Sequence, residues 1–244
     1  MGNCWTGISD KKFEEAERSV LQLTGLDVDL DIKIRNIEID SIGNYVRTYE
    51  IISDSAKPML VIMHGYGASA LIFWKILKSL REDYNLILVD ILGMGGSSRP
   101  KFTINNREEA EVYLVEWFEA WRLKYCKGGL TDFILGGHSF GGYISGLYAL
   151  KYHEHIRKLL MLSPAGITTY DDLANYDHYN ELSKRLIKRG QRPPPKCLFK
   201  CCYPCVNKAW NCKCSPFGIM RCCGRCCVQN LMSGFVKRRF KSVP

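Results

Sequence analysis

Residues 132–152 read DFILGGHSFGGYISGLYALKY and carry the strongest signal of the fold. A short apolar run is followed by a turn with a glycine close on either side of Ser139, and then by a longer segment suited to a helix. This order predicts a strand, a strained turn and a helix, with the serine hydroxyl projecting above a sheet. The glycines let the strand and the helix close together, so the pattern predicts Ser139 as a nucleophile at a strand end.

Strand-like and helix-like segments alternate on both sides of this turn. Strand-like patterns begin at Leu30 and cover 45–52, 59–63, 85–89, 132–135 and 158–162, with helices predicted at 71–80, 107–125 and 140–152. This alternation favours an α/β fold with a mostly parallel sheet and helices on both faces. Such sheets bind ligands at the carboxyl ends of their strands. His64, Asp90 and Ser139 all fall at those ends.

The backbone near Ser139 offers two candidate hydrogen-bond donors. The N–H of Phe140 begins a helix, where unpaired amides favour an anion. The second donor is expected in the loop after the third strand, at the N–H of Tyr66. We interpret His64 as a residue that shapes this loop rather than as a general base, because it precedes Ser139 and follows a different strand.

Five segments together resemble one branch of the α/β-hydrolases. They are HGYGAS at 64–69, LVDILGMGGSSRP at 88–100, EAWR at 119–122, GHSFGG at 137–142 and SPAG at 163–166. In that order they resemble the branch that includes the N-acyl-phospholipid lipases and the lipid-droplet lipase coactivator. The resemblance implies a serine hydrolase or acyltransferase acting on acyl lipids, either phospholipid or neutral lipid. The coactivator members lack the serine, so a membrane-tethered, non-catalytic lipid-binding regulator is the alternative.

The resemblance also implies a catalytic acid and a His after strands seven and eight, downstream of a cap. The sequence reaches Pro244 within what resembles a partial cap, and we expect the chain to be incomplete at this end, with an apolar sheet edge where strand seven would pair. His153 and His155 directly follow the helix after Ser139, which suits a surface position. The resemblance thus places the acid and the His of the triad outside this sequence, and a chain without them is expected to have little activity. Within the sequence, Asp171 and His178 are the candidates for acid and base.

Three regions are predicted: an acylated segment with a short helix at 1–28, the α/β-hydrolase core at 29–166, and a partial cysteine-rich cap at 167–244. The first residues, MGNCWT, match a myristoylation pattern at Gly2, and Cys4 stands where a second acyl chain could be added. Two acyl chains hold a membrane stably, whereas one does so only marginally. The helix that follows, over 11–23, is expected to pack on the domain rather than on lipid.

The net charge of +9 is concentrated near the end of the sequence, since residues 183–244 hold fifteen Lys or Arg and no Asp or Glu. Such a segment favours an anionic partner, either a membrane surface or a nucleic acid. No RNA-binding motif is present, so nucleic acid is not expected. Without a secretory signal or a membrane-spanning apolar stretch, the pattern indicates a cytoplasmic protein, peripheral on membranes or lipid droplets.

Ten of the twelve cysteines lie between Cys197 and Cys227. Two Cys-x-x-Cys pairs, at Cys202 with Cys205 and at Cys223 with Cys226, suit a four-thiolate zinc site and a third hypothesis, a zinc-dependent interaction module. Clustered cysteines among basic and aromatic residues also suit S-acylation at a membrane face. Disulfides fit less well with a reducing cytosol. Apart from zinc, no cofactor is expected.

Overall fold

The computed structural model describes residues 9–166, 187, 188 and 190, and those from 9 to 166 belong to one compact unit. Its sheet has the order β1-β2-β4-β3-β5-β6. The strands are β1 Lys33–Glu38, β2 Tyr45–Ile51, β3 Met59–Met63, β4 Asn85–Val89, β5 Phe133–His138 and β6 Ile156–Leu162. β2 is antiparallel to β1 and β4, and the other neighbours are parallel. The prediction of a mostly parallel sheet is confirmed.

Helices cover both faces of this sheet. They are α1 Asp10–Gln22, α2 Trp74–Asp83, α3 Arg107–Tyr125 and α4 Phe140–Lys151. In β3, Val61 and Met63 pack into the apolar cluster of α3 and α4, whereas Leu60 and Ile62 pack into the cluster of α1 and α2. Strand β3 therefore needs apolar residues at consecutive positions, because successive side chains point to opposite faces of the sheet and helices cover both faces.

The prediction that a strand begins at Leu30 is wrong. Leu30 lies in a turn with 86% of its surface exposed, and β1 begins only at Lys33. The side chain of Asp27 accepts the N–H groups of Asp29 and Leu30 at 2.9 and 3.0 Å. A short acidic side chain offers the backbone a local partner in this way, and the chain turns instead of pairing as a strand.

Helix α1 packs on the domain, as expected. Its N-terminus is capped by Ser9, whose hydroxyl oxygen accepts the Lys12 N–H at 3.4 Å. Leu21 is buried in the core together with Leu77 of α2. Glu17 is buried as well, so this helix also places a charged group inside the protein.

Strand β6 forms one edge of the described sheet. Its four consecutive apolar residues, Leu159, Leu160, Met161 and Leu162, are between 36% and 44% exposed. This agrees with the expected apolar edge for the part of the chain that the structure describes. Within that part, no helix is both long enough and apolar enough to cross a bilayer. The first eight residues lie outside it, and so does the predicted cap apart from residues 187, 188 and 190.

Candidate active site

Ser139 lies in a strained turn between β5 and α4. Its backbone angles are φ 54° and ψ −114°, a region that residues with side chains rarely adopt. The Ser139 N–H donates to the carbonyl of Leu162 at 3.1 Å, and its carbonyl accepts the N–H of Ala165 at 2.9 Å. Bonds to β6 and to the loop after it therefore hold the predicted nucleophile in this conformation.

The glycines around Ser139 are required by close backbone contacts. A Cβ atom on Gly137 would lie 2.3 Å from the Gly141 carbonyl oxygen, and one on Gly141 would lie 2.4 Å from the His64 carbonyl oxygen. Real Cβ atoms do not approach backbone this closely, so any side chain here would push α4 away from β3 and β5. The sequence interpretation of these glycines agrees with the contacts.

The loop after β3 lies directly against the turn at Ser139. A Cβ atom on Gly65 would lie 3.2 Å from the Cβ of Ser139. The Ala68 N–H closes a tight turn on the Gly65 carbonyl at 3.2 Å, with Gly67 at φ +68°. The Tyr66 ring stands edge-on to the Phe140 ring, with 6.0 Å between their centroids. The structure thus brings together Ser139 and both residues predicted to donate to an oxyanion.

His64 is fully buried and shapes this loop. Its Nδ1 donates to the Gly65 carbonyl at 2.7 Å, and its Nε2 accepts the N–H of Ile91 at 3.0 Å. Burial lowers the pKa of His64 to about 4, so the ring is neutral near pH 7. Its Nε2 lies 3.6 Å from Asp90 Oδ1, but this is a contact between two acceptors and not an ion pair. The geometry agrees with the interpretation of His64 as a loop residue.

Asp90 is a part of the site whose role sequence reasoning missed. Its Oδ1 accepts the N–H of Ala70 and its Oδ2 accepts the N–H of Gly96, each at 2.6 Å. Burial raises the pKa of Asp90 to about 6, although these two donors oppose the rise. The sequence does contain a signal for this role, because Asp90 directly follows a buried strand and precedes a glycine-rich loop. A buried carboxylate in such a place needs backbone N–H partners.

The described histidines after Ser139 lie far from it. His153 and His155 follow the C-terminal end of α4, a helix of 12 residues that is about 18 Å long at 1.5 Å per residue. Neither is placed to take a proton from Ser139. Asp171 and His178 lie outside the described residues. So do the lipidation candidates Gly2 and Cys4 and the zinc candidates Cys202, Cys205, Cys223 and Cys226.

Residues 58–186, more than half of the chain, match a protein family described as "alpha/beta hydrolase fold". The chain belongs to the α/β hydrolase fold family. The matched region contains the loop after β3, the glycine-rich loop after β4 and the turn that carries Ser139.

Several curated relatives of the chain have acyltransferase names. A probable 1-acylglycerol-3-phosphate O-acyltransferase of rice (Oryza sativa subsp. japonica) is 42% identical over 51% of this chain and 30% of its own length. The human 1-acylglycerol-3-phosphate O-acyltransferase ABHD5 is 34% identical over 70% of this chain and 46% of its own. The chain therefore spans less than half the length of these relatives.

Solved structures share the fold at low identity. A bacterial membrane phospholipase A superposes with a TM-score of 0.54 and 20% identity, covering 75% of this chain and 51% of that one. A naproxen esterase from Bacillus subtilis gives a TM-score of 0.55 with 16% identity, covering 74% and 62%. At such identities the likeness establishes only the α/β-hydrolase architecture.

Proposed function

We propose that Ser139 is the nucleophile of an enzyme that moves acyl groups of lipids, by hydrolysis or by acyl transfer. The observation that carries the proposal is the strained turn at Ser139 with the loop after β3 packed against it. The names of the rice and human relatives favour 1-acylglycerol 3-phosphate as an acyl acceptor. Acyl lipid is accordingly the proposed substrate class.

In this proposal the Ser139 Oγ attacks the carbonyl carbon of an acyl donor. The negative charge that develops on the carbonyl oxygen is met by the N–H groups of Phe140 and Tyr66. Collapse of this intermediate expels the leaving group and leaves an acyl-serine. Water then yields a free acid, or a lipid hydroxyl yields a new ester and regenerates Ser139.

A base is needed for this chemistry, since a serine hydroxyl alone is a poor nucleophile. The triad of this fold has the chain order serine, acid, histidine. Asp171 and His178 are the candidates for acid and base in the sequence, and both lie outside the described residues. An oxyanion site without a base supports only a residual rate.

The proposed setting is the cytoplasmic face of a membrane or lipid droplet. Acyl chains on Gly2 and Cys4 would supply two anchoring signals, and the basic segment 183–244 would attract anionic headgroups. In this proposal the clustered cysteines carry further acyl chains. Metal analysis tests the alternative, because one bound zinc per chain would instead favour a four-thiolate site, for which Cys202, Cys205, Cys223 and Cys226 are the candidates.

Labelling of Ser139 by a fluorophosphonate probe tests the nucleophile. The purified protein should be labelled and should release nitrophenolate from p-nitrophenyl butyrate, and Ser139→Ala should abolish both signals. Peptide mass spectrometry identifies the modified residue. Vesicles containing 1-acylglycerol 3-phosphate are then added as acyl acceptor. If the enzyme is a transferase, the acyl group should appear on this lipid instead of being released as free acid.

Failure of both assays would overturn this proposal. Retained vesicle binding in the unreactive protein, equal for wild type and Ser139→Ala, would favour the non-catalytic lipid-binding regulator. Ester hydrolysis that survives Ser139→Ala would also contradict the assignment.

A further inference from the structure

A chain of buried polar contacts joins helix α1 to the loops around Ser139. Glu17, Tyr49 and Asp90 are 4%, 1% and 0% exposed. The Tyr49 hydroxyl donates to Glu17 Oε1 at 2.6 Å and lies 3.4 Å from Asp90 Oδ2. Because buried polar groups need partners, a displacement of one member costs free energy unless the others follow.

Asp90 is the last residue of this series of contacts, and its carboxylate binds backbone N–H groups of two loops. The N–H of Ala70 closes the loop after β3, and the N–H of Gly96 belongs to the glycine-rich loop after β4. A Cβ atom on Gly95 would lie 2.2 Å from the Asp90 carboxyl group, so the second loop wraps closely around it. A shift of Asp90 therefore moves both loops, including the one that carries Tyr66.

Helix α1 reaches the glycine-rich loop by two further contacts. Both carboxylate oxygens of Glu17 pair with the guanidinium of Arg47, whose backbone N–H donates to Ser97 Oγ at 2.9 Å. The ring of Phe13 packs against Gly96, where an added Cβ atom would be 2.9 Å from it. The helix thus supports this loop through both an ion pair and an apolar contact.

We propose that Asp90 is a positioning residue for the oxyanion loop and that helix α1 controls its place through Glu17. The inference rests on the proposed roles of Ser139 and of the Tyr66 N–H. With α1 seated on Arg47 and Tyr49, the loop after β3 stays where this N–H faces the developing oxyanion. Displacement of α1 loosens the loop and lowers the reactivity of Ser139.

Three variants test the coupling. In Asp90→Asn the side chain can accept only one of its two backbone N–H donors. Glu17→Gln keeps the size of the side chain and removes the charge opposite Arg47. Glu119→Gln is the matched control, because Glu119 is also a buried carboxylate that pairs with an arginine and accepts a tyrosine hydroxyl. None of these bonds of Glu119 reaches the two loops.

The readouts are amide hydrogen exchange at Ala70 and Gly96, and kcat and KM for p-nitrophenyl butyrate. Asp90→Asn should lower kcat about 100-fold, as a displaced catalytic group does. Glu17→Gln should lower it about fivefold. KM should stay unchanged, because the oxyanion donors act on the transition state. Both amides should exchange faster in these two variants, and Glu119→Gln should leave all four quantities at their wild-type values.

Equal effects of Glu17→Gln and Glu119→Gln, or a change in KM rather than kcat, would overturn the inference. If a glutamine variant fails to fold, Tyr49→Phe and Tyr148→Phe make the same comparison with a single hydroxyl removed. Absence of turnover in the wild type would refute the proposed function, whereas the exchange comparison would still decide whether α1 holds the loops.

Discussion

Two buried clusters combine the same three side chains on opposite faces of the sheet. Glu17, Arg47 and Tyr49 lie on the face of α1 and α2, whereas Glu119, Arg122 and Tyr148 lie on the face of α3 and α4. In each cluster the arginine pairs with both carboxylate oxygens, and the tyrosine hydroxyl donates to the same glutamate. The chemistry is shared, so any difference in role comes from position.

The two clusters differ in what they connect. Glu119 and Arg122 are three residues apart on α3, and Arg122 also donates to the Leu130 carbonyl at 2.9 Å, ahead of β5. Glu17 and Arg47 are 30 residues apart, and their cluster continues to Asp90 at the carboxyl ends of the strands. One cluster therefore stabilises helix packing, whereas the other also bears on the candidate active site.

The largest expected effect comes from removing an arginine. Arg122→Met should lower the free energy of unfolding by about 3–5 kcal/mol, because Glu119 is left buried without its partner. Arg47→Met should cost at least as much, since the Glu17 side chain that it leaves unpaired is 3% exposed against 11% for Glu119. Urea denaturation measures both losses.

The double variant Glu119→Leu with Arg122→Met serves as the control for this comparison. Replacing both charges by apolar groups should recover most of the stability, because the unpaired charge causes the loss. A clearly smaller loss for Arg47→Met than for Arg122→Met would contradict the argument from burial.

The clusters also respond to pH in opposite directions. Burial raises the pKa of Asp90, so folding favours its protonated form, and its contribution to stability increases as the pH falls from about 6 towards 4. For Glu119, burial favours a rise, but the hydrogen bonds from Arg122 and Tyr148 outweigh it and lower the pKa. Its contribution is present above the unfolded pKa and is lost as the pH falls through the lower folded value.

Asp90→Asn should make the protein more sensitive to acid. Burial lowers the pKa of His64 to about 4, so its contribution to stability is lost as the pH falls from its ordinary value of 6.5. In the wild type the gain at Asp90 offsets much of this loss. Without it, the free energy of unfolding should fall by about 2–3 kcal/mol between pH 7 and pH 4.5. Urea denaturation at the two pH values gives the difference, and an equal fall in wild type would refute the offset.

The smallest expected effect comes from single hydroxyl groups. Tyr49→Phe and Tyr148→Phe each remove one buried hydrogen bond to a glutamate and should each cost about 1 kcal/mol. Thermal unfolding measures the two losses. Nearly equal losses would show that the two tyrosine hydroxyls contribute alike to stability. A much larger loss for Tyr148→Phe would show that the two clusters are not energetically equivalent.

Much of the fold could be predicted because its signals are local. The continuous apolar run over Met59–Met63 indicated a strand covered on both faces, and the pattern around Ser139 indicated the turn between β5 and α4. The start of β1 was missed because the turn formed by Asp27 competes with strand pairing. Apolar alternation alone does not report such side-chain bonds to the backbone.

The class of fold, the strained turn at Ser139 and the approach of Tyr66 and Phe140 to it could all be derived from the amino-acid sequence. These follow from steric limits on neighbouring residues and from the rule that parallel strands present their carboxyl ends at one edge. Three-dimensional packing, in contrast, was needed to reveal that Glu17, Tyr49 and Asp90 form one network of contacts and that both ring nitrogens of His64 are hydrogen-bonded. A buried polar side chain takes its partner from whatever packing brings near, so its role depends on contacts that span tens of residues and leave no local pattern.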